Sequence, residues 1–87
     1  MKHEIRTLIK NAPTRLLIIG LSSGTELGVW YIAPSEREGR YKESHEGFYG
    51  RLNVSDEAPF VDPDNIIFIR YDKIEYIRAV DKYFKKV

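Results

Sequence analysis

The sequence predicts one mainly β domain, in which a short N-terminal helix precedes five antiparallel strands that form a small, strongly bent sheet or barrel. Runs rich in aliphatic and aromatic residues recur at short intervals and are separated by Gly, Pro, Ser and acidic residues, a pattern typical of small all-β folds. The first residues instead repeat apolar side chains at helical spacing. Since a chain of 87 residues buries only about 60–65% of its unfolded surface, oligomerisation is a common way to stabilise it.

A helix is predicted over residues 2–11. Ile5, Leu8 and Ile9 fall at i, i+3 and i+4 and form one apolar stripe. Pro13 ends the helix, because the residue before a proline is pushed out of the helical region. A helix of about ten residues is too short to be stable alone, so we expect it to dock on the sheet.

The first two strands are predicted over residues 14–21 and 25–33, as a hairpin with a tight turn at 22–24. The first strand is apolar on both faces, as expected of a strand that is covered from two sides. Gly20 suggests a bend or bulge. Trp30 lies among residues that suit a half-buried sheet surface, and we expect it in the core.

A third strand is predicted over residues 47–54 and a fourth over 65–71. Residues 35–46 read as a long polar loop or an exposed extension, and 55–64, which contain two prolines, as a second loop. Phe48, on the third strand, is expected in the core.

The C-terminal segment fits two structures. As a helix, Ile74, Ile77 and Val80 continue an apolar stripe, and Asp72 with Glu75 fits a capping box. As a strand, residues 74–80 alternate and lie only two residues beyond the fourth strand, at hairpin distance. We favour a fifth strand over 74–80 because the fourth strand needs a neighbour, and expect a helical turn from about residue 81.

Composition excludes several classes of protein. The chain is 43% hydrophobic and 31% charged, with a net charge of +1 and no cysteine, which fits a soluble globular domain and excludes disulfides and thiolate zinc sites. No apolar run approaches the roughly 20 residues that cross a bilayer, and the N-terminus lacks the apolar centre of a signal peptide. We therefore expect a cytoplasmic protein without membrane partner or cofactor.

Charge is unevenly spread along the chain. Both ends are basic, whereas residues 55–64 carry four carboxylates and no cation. Basic faces suit polyanions, although mixed charged surfaces also serve solubility alone. The acidic loop reads as a solvated segment rather than a cation site.

The most informative cluster is Arg70, Tyr71 and Asp72, at the step between the fourth and fifth strands. A hairpin places such residues at the rim of a sheet, where they can meet a ligand. A planar guanidinium can stack on a base and donate hydrogen bonds together, and a tyrosine can stack as well. The alternative is that Arg70 pairs with Asp72 and only fixes the turn.

Catalytic and metal sites find little support. His3 and His45 lie far apart, and a triad needs a spatial convergence that the sequence does not indicate. His45 stands beside Glu43 and Glu46, but no second histidine at ligand spacing accompanies it. We expect no catalytic residues and no metal, and keep a hydrolase that uses His45 as a remote alternative.

The chain resembles the Sm-like proteins, the group that includes Sm, archaeal Sm-like and Hfq proteins. Their second motif is an apolar strand followed by Arg-Gly-Asp or Arg-Gly-Asn and alternating apolar residues, and it is matched here, with Tyr71 in place of the glycine, by Ile69-Arg70-Tyr71-Asp72-Lys73-Ile74. Residues 21–29 match the opening of the first motif, with Gly28 one position early. The Asp and Asn that complete that motif are absent, and residues 33–37 stand in their place.

The resemblance implies a fold and a function. It implies a strongly bent five-stranded barrel with an N-terminal helix, whose fourth strand pairs with the fifth strand of the next subunit and so closes a homo-oligomeric ring. It also implies salt-dependent binding of single-stranded RNA at the ring centre, where the arginine that matches Arg70 stacks on a base. Arg70, Tyr71 and Asp72, with Arg37 and the exposed Tyr41 of the polar loop, are the predicted RNA-binding residues. A non-enzymatic protein-interaction or structural oligomer is the alternative.

Overall fold

The computed structural model describes residues 2–11, 15–32, 44–53 and 61–83, with the backbone path alone at 61–65 and 83. It is mainly β with a short N-terminal helix, as predicted. The elements in chain order are α1 (Lys2–Asn11), β1 (Arg15–Leu21), β2 (Glu26–Tyr31), β3 (Gly47–Asn53), β4 (Val61–Arg70), a single 3-10 turn (Tyr71–Lys73) and β5 (Ile74–Tyr83).

The five strands form one antiparallel sheet in the order β4-β3-β2-β1-β5. The predicted β1–β2 hairpin is confirmed, with Leu17 opposite Val29. Within the described residues no ladder joins β4 to β5, so the sheet is open and these two strands form its edges. The five-stranded antiparallel sheet is thus confirmed, whereas closure into a barrel is not.

Bulges bend the sheet where β1 meets β5. The register shifts between Gly20 and Leu21, and again between Arg15 and Leu16, and such irregularities increase local twist. The bend or bulge predicted at Gly20 coincides with one of these register shifts. The ring of Tyr76 lies directly over this glycine, where an added Cβ would come within 2.0 Å of the ring.

Two predicted boundaries are wrong. β4 begins at Val61, so the predicted loop is strand over 61–64; Val61 pairs with Asn53 of β3, and an edge strand tolerates the proline at 63. The helical turn predicted from about Asp81 is also strand, because β5 continues to Tyr83, which pairs with Arg15 of β1. The strand predicted over 74–80 is confirmed, because the β1 ladder outweighs the local helical pattern. The hairpin predicted between the fourth and fifth strands is wrong: β4 pairs with β3, and β5 pairs with β1.

The main core lies between α1 and one face of the sheet. Ile5 and Ile9 of the helix are buried, and they pack on an apolar surface to which all the strands contribute. Phe48 is 4% exposed and belongs to this cluster, as predicted. The short helix is therefore stabilised by docking rather than by its own hydrogen bonds.

A second buried set lies on the opposite face of the sheet. Trp30 is 2% exposed and alternates with Val29, so it points away from α1. Its indole nitrogen donates a hydrogen bond to the Asn53 side-chain oxygen at 3.3 Å. The prediction that Trp30 is buried is confirmed, and the two-sided burial of β1 follows the same alternation, with Leu16 beside Trp30 in the ladder.

Candidate functional site

The turn between β4 and β5 is held by backbone hydrogen bonds to two other parts of the chain. The Tyr71 N–H donates to the Glu46 carbonyl at 2.9 Å, and the Ser22 N–H donates to the Lys73 carbonyl at 2.9 Å. The turn is thus tied both to the start of β3 and to the β1–β2 hairpin. Its side chains project from a fixed frame at one end of the sheet.

Gly47 allows the close approach that builds this end of the sheet. It is buried and pairs with Arg70, and a Cβ at this position would lie 2.1 Å from the Ile69 carbonyl oxygen. Only glycine fits such a contact without moving a strand. The close pairing places Glu46 beside the end of β4.

Arg70 and Asp72 form a two-pronged ion pair across the turn. Arg70 Nε donates to Asp72 Oδ1 and its terminal nitrogen donates to Oδ2, each at 3.0 Å. The hydrogen bond raises the pKa of Arg70 and lowers that of Asp72. This is the turn-fixing pair expected as the alternative. Because the pairing lies in the guanidinium plane, it occupies an edge and leaves the flat faces uncommitted, with the side chain 52% exposed.

Tyr71 links the turn to the helix and to the main core. It is half-buried, and its ring centroid lies 6.0 Å from that of Phe48. Lys2 Nζ lies 5.9 Å from the Tyr71 ring centroid, within the range of a cation–π interaction. The ring is therefore part of the site and is partly covered by the first turn of α1.

These residues line an open cleft of about 340 Å³, formed by Lys2, His45, Glu46, Arg70, Tyr71 and Asp72. The volume is at the lower end of the range for small-molecule sites. The cleft is lined by two cations, Lys2 and Arg70, and by two carboxylates, Glu46 and Asp72.

The structure brings together three of the five predicted RNA-binding residues: Arg70, Tyr71 and Asp72. Arg37 and Tyr41 lie outside the described residues. Sequence reasoning did not place Lys2, His45 and Glu46 at the site, because they reach it through helix docking and the β3–β4 ladder. The one local signal for the position of Glu46 was Gly47, the next residue, because a glycine at the start of a strand can mark a close approach of two strands.

The fold places His45, the residue of the hydrolase alternative, in the same cleft as Glu46. In the described part of the chain, no group of three or more His, Cys, Asp and Glu side chains is placed to hold a metal ion. Among those same residues, α1 is far too short and polar to cross a membrane, and no other helix has the length to do so.

Comparison of the chain with protein-family models, with curated proteins and with solved structures finds no match.

Proposed function

We propose that this chain is an Sm-like protein that assembles into a homo-oligomeric ring and binds single-stranded RNA at the turn that contains Arg70, Tyr71 and Asp72. In this proposal the bent sheet forms the family's barrel. The observation that carries it is the strand order, which leaves β4 and β5 as the two edges. These are the strands that pair between subunits in the family that the sequence resembles.

Exposed side chains support pairing through these edges. In the described part of the chain, the exposed large hydrophobic residues are Phe68, at 39%, and Tyr76, at 45%. One lies on each edge strand, and the ladders place both on the face opposite α1. When β4 of one copy pairs with β5 of the next, the two aromatic side chains lie on one continuous face. Such pairing covers edges that would otherwise be open to aggregation.

This contact joins different surfaces of the two copies. A head-to-tail contact generates a ring if its rotation closes. Each copy then contributes one turn, so that weak individual contacts with one RNA strand add through high effective concentration.

The turn has the chemistry that base stacking needs. Asp72 orients the planar Arg70 guanidinium through its edge, and Tyr71 lines the same cleft. Planar cations and aromatic rings are the groups on which unstacked RNA bases rest. The two-pronged ion pair with Asp72, or fork, reduces the entropy that Arg70 would lose on binding, since the orientation of the guanidinium is already set.

We propose binding rather than catalysis because of how the two charged groups affect each other. The pair raises the pKa of Arg70 and lowers the pKa of Asp72, so each pKa lies further from neutral pH. A general acid or base works best with a pKa near the operating pH. The function requires no cofactor and no metal.

The alternative is an oligomer that binds protein and not RNA. It is favoured by the cancelling charges of the cleft, because a site for polyanions usually carries net positive charge. RNA affinity of Arg70 variants distinguishes the RNA-binding proposal from this protein-binding alternative.

The test is binding of a fluorescent U-rich oligonucleotide, measured by anisotropy at several salt concentrations. We expect Arg70→Ala to weaken binding about tenfold or more and Arg70→Lys to weaken it nearly as much, because lysine keeps the charge but loses the planar stacking surface. Affinity of the parent protein should fall steeply with salt.

Lys73→Ala is the matched control. Lys73 is exposed in the same turn but does not line the cleft, so binding should stay close to that of the parent. Melting curves check that each variant is folded. Absence of binding at low salt, or unchanged affinity in Arg70→Ala, would favour the protein-binding alternative.

A further inference from the structure

The charges of the cleft suit a base better than a phosphate. A phosphate group beside Arg70 would also face the carboxylates of Asp72 and Glu46, and like charges at close range cost energy. Asp72 is already paired with Arg70. Glu46 acts on Arg70 as well, since its charge contributes to the raised pKa of that guanidinium. A neutral ligand that donates hydrogen bonds meets no such penalty.

Glu46 is fixed in place by its own backbone. Its N–H donates to the Ser44 hydroxyl at 3.1 Å, and its carbonyl accepts from the Tyr71 N–H at 2.9 Å. In the described part of the chain, Glu46 has no side-chain hydrogen bond or ion pair that would occupy its carboxylate. Glu46 lines the cleft together with Arg70.

We infer that the cleft selects guanine, whose Watson–Crick edge donates to the Glu46 carboxylate while the base stacks on Arg70. This inference rests on the proposed RNA-binding function and gives it a base preference. A carboxylate only accepts hydrogen bonds and has two oxygens to do so. Guanine offers two adjacent donors, N1–H and the 2-amino group. Uracil offers one donor between two carbonyl oxygens, and those oxygens face the negative charge.

The test compares U-rich oligonucleotides that are identical except at one central position, which is uridine, adenosine, inosine or guanosine. We expect guanosine to bind about tenfold more tightly than uridine, the size of one good bidentate contact. Inosine keeps N1–H but lacks the 2-amino group, so its affinity should be intermediate. If inosine binds as tightly as guanosine, the 2-amino group does not contribute, and the proposed two-donor contact with Glu46 is overturned.

The variant Glu46→Gln tests the assignment to this side chain. An amide presents an acceptor and a donor in place of two acceptors, so the ratio of guanosine to uridine affinity should fall close to one, while uridine binding persists. Glu75→Gln is the matched control, because Glu75 is exposed on β5 and does not line the cleft; its ratio should equal that of the parent.

The outcomes separate this inference from the function on which it rests. If no oligonucleotide binds, the proposed function fails and the inference fails with it. If all four bind with equal affinity, RNA binding stands and guanine selection is overturned. A guanosine preference that survives in Glu46→Gln also overturns the inference, because the preference then arises at another residue.

Discussion

At the scale of single residues, the proposed stacking site depends on the ion pair between Arg70 and Asp72. The two side chains are 52% and 59% exposed, so solvent screens them and the pair adds little to stability. Its contribution is orientation: the fork fixes the guanidinium plane at the mouth of the cleft.

Titration of Asp72 tests whether this pair exists in solution. The hydrogen bond from Arg70 lowers the pKa of Asp72, so its small stabilising contribution is present above the unfolded-state pKa and is lost as the pH falls through the lower folded-state pKa. We expect carboxyl NMR to find Asp72 below the ordinary aspartate range and Arg70→Ala to return it towards that range. An Asp72 pKa that Arg70→Ala leaves unchanged would show that the fork is not formed.

Gly47 tests the close approach that positions Glu46. We expect Gly47→Ala to lower the free energy of unfolding by about 1–3 kcal/mol, because its Cβ would meet the Ile69 carbonyl oxygen at 2.1 Å and a strand must shift. Gly28→Ala is the control: its Cβ would have 3.5 Å to its nearest neighbours, so the change should be small. Denaturant unfolding measures both, and equal effects would contradict the register.

How much of the site the sequence predicts depends on how local each contact is. Arg70, Tyr71 and Asp72 are consecutive, so their place between two predicted strands was enough to group them. Lys2 and Glu46 come from α1 and from the residue before β3, and only the docked helix and the β3–β4 ladder bring them to the same cleft. No spacing in one sequence encodes those distances.

At the scale of elements, the sheet decides what local patterns leave open. Residues 74–80 carry both a helical stripe and a strand alternation, and pairing with β1 selects the strand. The same ladder carries β5 past Asp81, which forms an ion pair with Arg15 at 3.1 Å. β4 likewise extends into a proline-containing segment because β3 pairs with it. The apolar patterns were enough to predict which segments are helix and which are strand. The start of β4 and the end of β5 depend on partner strands distant in sequence.

Docking of α1 is tested by truncation of its buried stripe. Ile9 is 3% exposed, so Ile9→Ala should lower the free energy of unfolding by about 2–4 kcal/mol. Lys10→Ala, at the exposed neighbouring position, should change it little. The two values come from urea unfolding followed by circular dichroism, and a small effect of Ile9→Ala would mean that the helix does not pack on the sheet.

Trp30 tests the second buried face independently. Because it is 2% exposed and points away from α1, its fluorescence should be blue-shifted and poorly quenched by iodide. The folded Ile9→Ala variant should keep that spectrum, since α1 covers the opposite face of the sheet. A red-shifted, iodide-accessible Trp30 in the folded protein would contradict the burial.

At the scale of the whole molecule, the open sheet is the feature that function must explain. β4 and β5 end the sheet on either side, and each carries an exposed aromatic residue, Phe68 or Tyr76. Pairing of these edges between copies would satisfy their backbone groups and place both rings on one continuous face, and it would set the turns of neighbouring copies around one axis. In the proposed function, ring formation strengthens RNA binding, because each copy adds one weakly binding cleft.

Solution mass tests this claim most directly. Light scattering at micromolar concentration, with and without a U-rich oligonucleotide, should give a single mass that is a fixed multiple of the chain, stays constant on dilution and increases by the mass of bound RNA. A monomeric mass at the same concentration, with or without RNA, would contradict the account.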